Sequence, residues 1–409
     1  MKVLISHPGK QHVYSLVKNL SALHEVFFIT TLCYSPLSLE KLKKKFYFKI
    51  VESNVLKRFA NFNAKVQVTQ IKRFEILYQV IKVCTRNDWF SRRVLFWSWK
   101  FFDKKVAILL SGISPDIIIG YETSSLNTFK KAKELNTITV LDLAYVHYEY
   151  NLATRDRYVA FASTFKDQRF YKEENIIKAE ELRYTDYILC LSSIAKQSLI
   201  EAGISQSKIF TYHLGIDTLK FLPKSEYRAS GNPVRLLYVG GVTQRKGLNI
   251  LLSVVKQMEA SVELVIVGPI VEKNLLDLFL GLPNVLYKGF LHKEELIKTY
   301  QKADVFVFPS YLDSWGQVVL EAMACGLPVI VTDQTGAKDV IDETCGFVIP
   351  AGDEVALKNS IDFFIQDHDK LETMGTGARK IAEKYSLENY SFEINQIIKR
   401  ISETNDITN

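Results

Sequence analysis

The sequence predicts an α/β protein made of two doubly wound, Rossmann-like domains that face each other across a cleft. Three observations predict it. Strand and helix patterns alternate in two separate runs, one starting at Lys2 and the other at Val234. A polar, turn-rich segment from Leu222 to Pro233 separates the runs. The chain has 409 residues, which at roughly 100–200 residues per domain is room for two or three.

The elements of the first run follow in order. Lys2–Ser6 is a short apolar stretch that stops at His7-Pro8-Gly9. Val13–Leu23 carries apolar residues at helical spacing, and Glu25–Thr31 is β-branched and aromatic, which makes a strand–loop–helix–strand unit. Asp116–Gly120, Thr137–Asp142 and Tyr187–Leu191 read as further buried strands, and the charged region 151–180 as helical. The second run gives strands at Val234–Val239, Val262–Val267, Val285–Tyr287, Val305–Phe308 and Leu327–Thr332. Helices fall at Leu248–Met258, Lys293–Lys302 and Gln317–Cys325, the last closed by Gly326. Such alternation implies right-handed crossovers and parallel sheets, with a cleft at the carboxyl ends of the strands. The expected division is a first Rossmann-like domain over 1–222, a second over 223–386, and a carboxyl-terminal helix over 387–409 packed back on the body. From Leu387 to Ile401 that last segment is amphipathic.

Composition narrows the function classes. Hydrophobic residues make up 47% and charged residues 24%, which excludes a disordered chain or a collagen-like repeat. No uninterrupted apolar run reaches ten residues, so none reads as a bilayer-spanning helix, and the apolar start is too short for a signal peptide. Cys33, Cys84, Cys190, Cys325 and Cys345 are scattered without a zinc spacing and read as reduced, mostly buried thiols of a cytosolic protein. The net charge of +7 is uneven: residues 41–105 hold 17 Lys/Arg against 4 Asp/Glu. That segment also carries Phe46, Phe48, Phe59, Phe62, Trp89, Phe96, Trp97, Trp99 and Phe102. An anionic bilayer surface attracts such a composition. Buried aromatics with a solvated lysine rim, or single-stranded nucleic acid, are the competing readings. The expectation taken is an anionic membrane surface, and no nucleic acid.

Two loops carry the candidate chemistry. A GxGxxG fingerprint is absent after both first strands. Gly241-Val242-Thr243-Gln244-Arg245-Lys246-Gly247 lacks the Gly-Lys-Ser/Thr ending of a P-loop. It still follows a strand and opens a helix, so its N–H groups, Arg245 and Lys246 suit a diphosphate. The second loop runs Pro309-Ser310-Tyr311-Leu312-Asp313-Ser314-Trp315-Gly316, and the helix after it contains Glu321. Two carboxylates eight positions apart at a strand end suit sugar hydroxyls. Gly316 admits a ligand to the backbone, the N–H groups of Ser314 to Gly316 suit anionic oxygens, and the Trp315 ring offers a face to a sugar. Phosphate next to hydroxyls describes a nucleotide sugar.

The stretch from Pro309 to Ile330, with its Asp313…Glu321-Ala322-Met323-Ala324-Cys325-Gly326-Leu327-Pro328-Val329 pattern, resembles the signature of retaining GT-B glycosyltransferases of family 4, the glycosyl transferases group 1. The likeness extends through Gly336, Asp339, Gly346 and Gly352-Asp353, and covers Gly240, Lys246-Gly247, Leu264–Gly268 and Val285 to Phe290. Upstream it includes Thr185-Asp186, Ser192-Ser193 and Gly215-Ile216-Asp217, so it spans nearly all of 181–353 and is weak in the amino-terminal domain. The resemblance implies a GT-B fold and a retaining, metal-independent hexosyltransferase with no cofactor beyond its nucleotide-sugar donor. It implies catalytic roles for His147, Lys246, Arg245 and Asp313. Lys246 would hold the donor diphosphate, Asp313 the donor sugar, and Glu321 the ribose, with Gly289 and Phe290 beside the base. Gly9, Gly240, Gly241, Ser314, Trp315 and Gly316 complete the donor-binding set.

The sequence departs from the pattern at three places. Asp313 stands where the family has Glu, Gly241 stands where the family has Arg so that Arg245 is expected to substitute, and the first loop reads Gly9-Lys10-Gln11 instead of a glycine pair. The acceptor implied is a glycan or lipid-linked sugar at the cytoplasmic membrane face, in surface polysaccharide or glycolipid synthesis. A nucleotide-sugar epimerase and a non-catalytic nucleotide-sugar-binding protein remain alternatives on the same scaffold.

Overall fold

The computed structural model describes residues 1–9, 12–36, 40, 58–72, 88–143, 145–158, 168–227, 231–258 and 260–408. Lys10, Cys84 and most of 41–87, Lys43, Lys44 and Lys45 among them, lie outside the described residues. Among the described residues the strands form two all-parallel sheets. The first contains β1 (Lys2–Ser6), β2 (Glu25–Thr30), β3 (Val66–Gln70), β4 (Ile117–Tyr121), β5 (Ile138–Leu143), β6 (Tyr187–Cys190) and β7 (Ile209–Thr211), in the order β3-β2-β1-β4-β5-β6-β7. The second contains β8 (Val234–Val239), β9 (Val262–Val267), β10 (Val285–Tyr287), β11 (Val305–Phe308), β12 (Val329–Thr332) and β13 (Gly346–Ile349), in the order β10-β9-β8-β11-β12-β13.

Each sheet reverses its winding once, between β1 and β4 and between β8 and β11. Ligands of open α/β sheets bind outside the carboxyl ends of strands at such reversals. The helices in chain order are α1 (Val13–Leu20), α2 (Asp88–Ile113), α3 (Leu126–Glu134), α4 (Tyr148–Arg157), α5 (Gln168–Arg183) and α6 (Ser193–Glu201). They continue as α7 (Leu248–Gln257), α8 (Lys293–Lys302), α9 (Gln317–Ala324), α10 (Glu354–Gln366), α11 (Asp369–Lys384) and α12 (Leu387–Thr408).

The central strands are buried on both faces. Val3, Leu4, Ile117, Ile118, Val140, Leu237, Phe306, Val307, Val329 and Ile330 are all fully inaccessible. This is why they read as continuous apolar runs instead of alternating ones. By contrast β3 is an edge strand with exposed residues, and its Val-Gln-Val-Thr-Gln sequence gave no apolar run to detect. The predicted helix at Val13–Leu23 ends earlier, at Leu20, where the Ser21 hydroxyl bonds the Lys18 carbonyl.

The basic, aromatic segment divides between two of its readings. Phe96 and Phe102 of α2 are core residues, whereas Trp97 is 62% and Ile108 68% exposed. No described helix is long and apolar enough to cross a membrane. Helix α12 crosses back to the first sheet and lies along α1. Its Ile394, Ile398 and Ile401 are buried, Asn395 donates to the Asn19 carbonyl at 3.2 Å, and Tyr390 stacks on Tyr212. Cys33, Cys190, Cys325 and Cys345 are buried and form no disulfide.

Candidate active site

The carboxyl ends of the two sheets face each other, and several contacts among the described residues join them. The Arg245 guanidinium donates to the Tyr145 hydroxyl at 3.4 Å, and the Tyr150 hydroxyl to Gln334 Oε1 at 2.9 Å. The Ser193 N–H donates to Asp339 at 2.6 Å, with the Ser193 hydroxyl bonding the same carboxylate. Gln317 donates to the Gly215 carbonyl, Tyr158 packs on Tyr311, and His213 packs on Trp315. Asp339 sits at the amino end of α6, where a helix dipole favours an anion.

The loop after β8 is built to present two cations. Residues Gln244–Lys246 form a single 3-10 turn whose start is capped by the Thr243 hydroxyl accepting from the Lys246 N–H. Gly247 follows with φ +72°, and a Cβ there would lie 1.8 Å from the Pro309 carbonyl oxygen, so only glycine fits. That close approach clamps the loop to the end of β11. The Arg245 carbonyl accepts from the Tyr311 N–H at 2.9 Å and from the Ser310 hydroxyl at 3.3 Å.

Lys246 and Asp313 are thereby brought together as an ion pair, with side chains 15% and 16% exposed. The Lys246 ammonium also lies over the Phe308 ring. The Arg245 guanidinium donates to the Leu312 carbonyl at 2.8 Å, next to the same pair. Burial lowers the pKa of Lys246, and neighbouring Arg245 adds to the effect against the pull of Asp313. For Asp313, burial would raise the value, but Lys246 and Arg245 outweigh it and hold the carboxyl below the ordinary range. Three charges thus share a small, mostly desolvated volume.

Several backbone amides expected to face a ligand are already spent. Gly240 N–H bonds the Val267 carbonyl, Val242 the Pro269 carbonyl, and Gly9 the His7 ring at 2.9 Å. Gly241 contributes its carbonyl to the Tyr238 hydroxyl. The positive charge of this loop therefore resides chiefly in the Arg245 and Lys246 side chains. The expectation for Trp315 is corrected. Its ring is 3% exposed, held by His213 and by its own indole N–H donating to Gln317, so it offers no face to a sugar. Its backbone N–H donates to Asp313 Oδ1 at 3.1 Å. Ser314 is also buried. Gly316 is required by φ +85° at the start of α9, and a Cβ there would press on Thr335 and Phe308.

Glu321 lies in the second turn of α9 and accepts from the fully buried Tyr300 hydroxyl at 3.0 Å, and burial raises its pKa. Gly289 follows β10, with its carbonyl accepting from Gly268, and Phe290 beside it is 61% exposed. From the first sheet, the segment after β5 supplies Tyr145 and His147. His147 is buried and caps α4, its Nδ1 accepting the Glu149 N–H at 3.4 Å. That bond places the proton of the neutral ring on Nε2. Burial lowers the pKa of His147, which favours the neutral form.

Two polar groups escaped the sequence reading, and a third, His12, was read only as able to approach the cleft from the start of the first helix. Tyr145 and Tyr300 carry no motif of their own. His12 had only its position, yet its Nε2 meets Asp142 at 2.7 Å in a buried pair, with Tyr212 also donating to Asp142. The partners are 130 residues apart, beyond any local signal.

Comparison with known proteins follows the same division. Residues 223–381 match the family model described as glycosyl transferases group 1. This chain carries a group 1 glycosyltransferase domain. Sulfoquinovosyl transferase SQD2 of Arabidopsis thaliana is 33% identical over 217 residues, 50% of this chain and 42% of that protein. The capsular polysaccharide biosynthesis glycosyltransferase CapM of Staphylococcus aureus is 29% identical over 221 residues, 49% of this chain and 57% of that protein. The chain thus spans about half the length of the curated relatives it matches. Solved structures match throughout. Sucrose-phosphate synthase from Thermosynechococcus elongatus aligns with TM-score 0.68 at 17% identity, over 99% of this chain and all of that one. HepE of Anabaena in complex with UDP aligns with TM-score 0.66 at 15% identity, over 98% of this chain and all of that one. These likenesses show the fold, GT-B, with the group 1 domain built on its second sheet.

Proposed function

We propose that this chain transfers a sugar from a nucleotide-diphosphate donor to a glycan or lipid-linked acceptor, with retention at the anomeric carbon and without a metal ion. The observation that carries the reading is the Arg245–Lys246–Asp313 cluster, set at the mouth of a group 1 domain and facing Tyr145 across the cleft. As the bond from the sugar to the diphosphate breaks, charge grows on the leaving phosphate, and fixed cations there are the main catalytic term. A diphosphate replaces Asp313 as the partner of Lys246. The released carboxylate then meets hydroxyls of the donor sugar, which develops oxocarbenium character. The acceptor oxygen forms the new bond, and its proton passes to the departing phosphate. Glu321 holds the ribose, Gly289 and Phe290 flank the base, and the Nε2–H of His147 donates to the sugar.

Residues 1–222 then form the acceptor side, 223–386 the donor side, and 387–409 the helix that ties the second to the first. The exposed apolar residues of α2, among lysines and arginines, suit the anionic inner face of the cell membrane, where a lipid-linked acceptor resides. The names of relatives support a glycan product: CapM and WcaL are described as capsular and colanic acid biosynthesis glycosyltransferases. HepE, solved with UDP and with UDP-glucose, supports the nucleotide-sugar donor.

The test is a screen of UDP- and GDP-sugars for release of nucleoside diphosphate, with a bacterial lipid extract as acceptor and the product anomer read by NMR. Acceptor-dependent release and a retained anomer are expected. Conversion of the donor sugar with no diphosphate released would replace this reading with an epimerase. Nucleotide binding without turnover on any acceptor would replace it with a binding protein.

A further inference from the structure

Arg245 is an unusual source for a leaving-group cation. The family's arginine follows the strand glycine directly, a position held here by Gly241, and Arg245 comes four residues later on a single 3-10 turn. A long side chain on so short a turn keeps its rotamers unless partners fix it, and ordering such a chain opposes binding. Two partners fix it. One is the Leu312 carbonyl at 2.8 Å, from the neighbouring loop of the same sheet, and the other is the Tyr145 hydroxyl at 3.4 Å, from the opposite sheet. Both take the same terminal nitrogen, Nη1.

We propose that Tyr145 is a positioning residue, which holds the Arg245 guanidinium at the donor diphosphate from across the cleft. This rests on the donor reading given above. The placement of Tyr145 fits the role. It lies two residues beyond β5 and two before His147, on a segment pinned at its far side by the His147 cap and by the bond from Tyr150 to Gln334. Tyr145 is half-buried and packs against an apolar cluster. Burial, together with nearby Asp313, outweighs Arg245 and pushes its pKa up to about 12, so the hydroxyl stays neutral and accepts from the guanidinium. A cation held partly by the acceptor-side sheet is in place only when the two sheets stand as close as they do here.

A double-mutant cycle tests this, with calorimetric affinity for UDP and GDP as the readout and thermal midpoints measured alongside. The variants are Tyr145→Phe, Arg245→Met and the pair, which leave Lys246 in place so that binding stays measurable. Tyr145→Phe is expected to weaken binding by about 3- to 10-fold in the wild-type background and by less than 2-fold beside Arg245→Met. Its thermal midpoint should be unchanged. An equal loss in both backgrounds would show that Tyr145 acts through the fold or on the nucleotide itself, and no loss in either would show that Leu312 suffices; each result overturns the proposal. Failure of the wild-type chain to bind either nucleotide would overturn the donor reading instead, and the role of Tyr145 with it.

Discussion

The proposed ribose contact of Glu321 has to share the carboxylate with Tyr300. The Tyr300 hydroxyl occupies one oxygen, Oε2, and burial raises the pKa of the group. A ribose would take the other oxygen. Glu321→Gln keeps the shape and removes the charge, so nucleotide affinity should fall by about 1–3 kcal/mol with little change in stability. Unchanged affinity by calorimetry would leave Glu321 with Tyr300 alone. The His12–Asp142 pair makes a prediction in pH. Burial alone would lower the His12 value, but Asp142 raises it above 6.5; burial would raise Asp142, but His12 brings it below 3.8. The contribution of His12 is therefore complete below about pH 6.5 and is lost as pH climbs through its raised value. That of Asp142 is complete above about pH 4 and is lost as pH falls through its lowered value. The stability gap between wild type and Asp142→Asn, followed by denaturant unfolding, should be widest between these limits and narrow on both sides. A gap independent of pH would mean that the pair is not ionic. Asp313 and Glu321 were legible because they lie within one continuous motif, and Lys246 because it closes the loop between a buried strand and a helix. The pairing of His12 with Asp142 and the burial of Trp315 were not, because both are set by chain segments remote in sequence.

At the scale of elements, the second sheet was legible almost strand for strand, since its buried strands are unbroken apolar runs bounded by Gly and Pro. The first sheet lost β3 and β7 to the reading. Its edge strand β3 is polar and exposed, and β7 has only three residues. Helix α2 was hidden by its own composition, because its aromatics serve two surfaces at once. Phe96, Phe102 and Val106 pack inward, while Phe90, Trp97 and Ile108 face out. If the outward row meets a bilayer, binding to vesicles should rise with anionic lipid and fall with salt, at about 1 kcal/mol per engaged Lys or Arg. Trp97→Ser should weaken that binding and leave the thermal midpoint in place. Association that ignores both salt and Trp97 would assign the row to something other than a charged membrane.

Across the whole molecule, the loops of the second sheet and the segments that follow strands of the first meet at a few polar contacts, and α12 fastens one half to the other. The group 1 domain holds the cations, yet their geometry is shared with the opposite sheet through Tyr145, Tyr150 and Ser193. A split of this kind suits the proposed transfer, in which donor and acceptor must be brought together and kept from water. The measurement that tests the account most directly is the rate of nucleoside diphosphate release by wild type and by Lys246→Ala, using the donor found by the screen at saturating concentration. Loss of a cation at the leaving phosphate should slow release by about 10²–10³-fold while the variant stays folded. Equal rates in the two proteins would contradict the account, since the cluster on which it is built would then have no part in the chemistry.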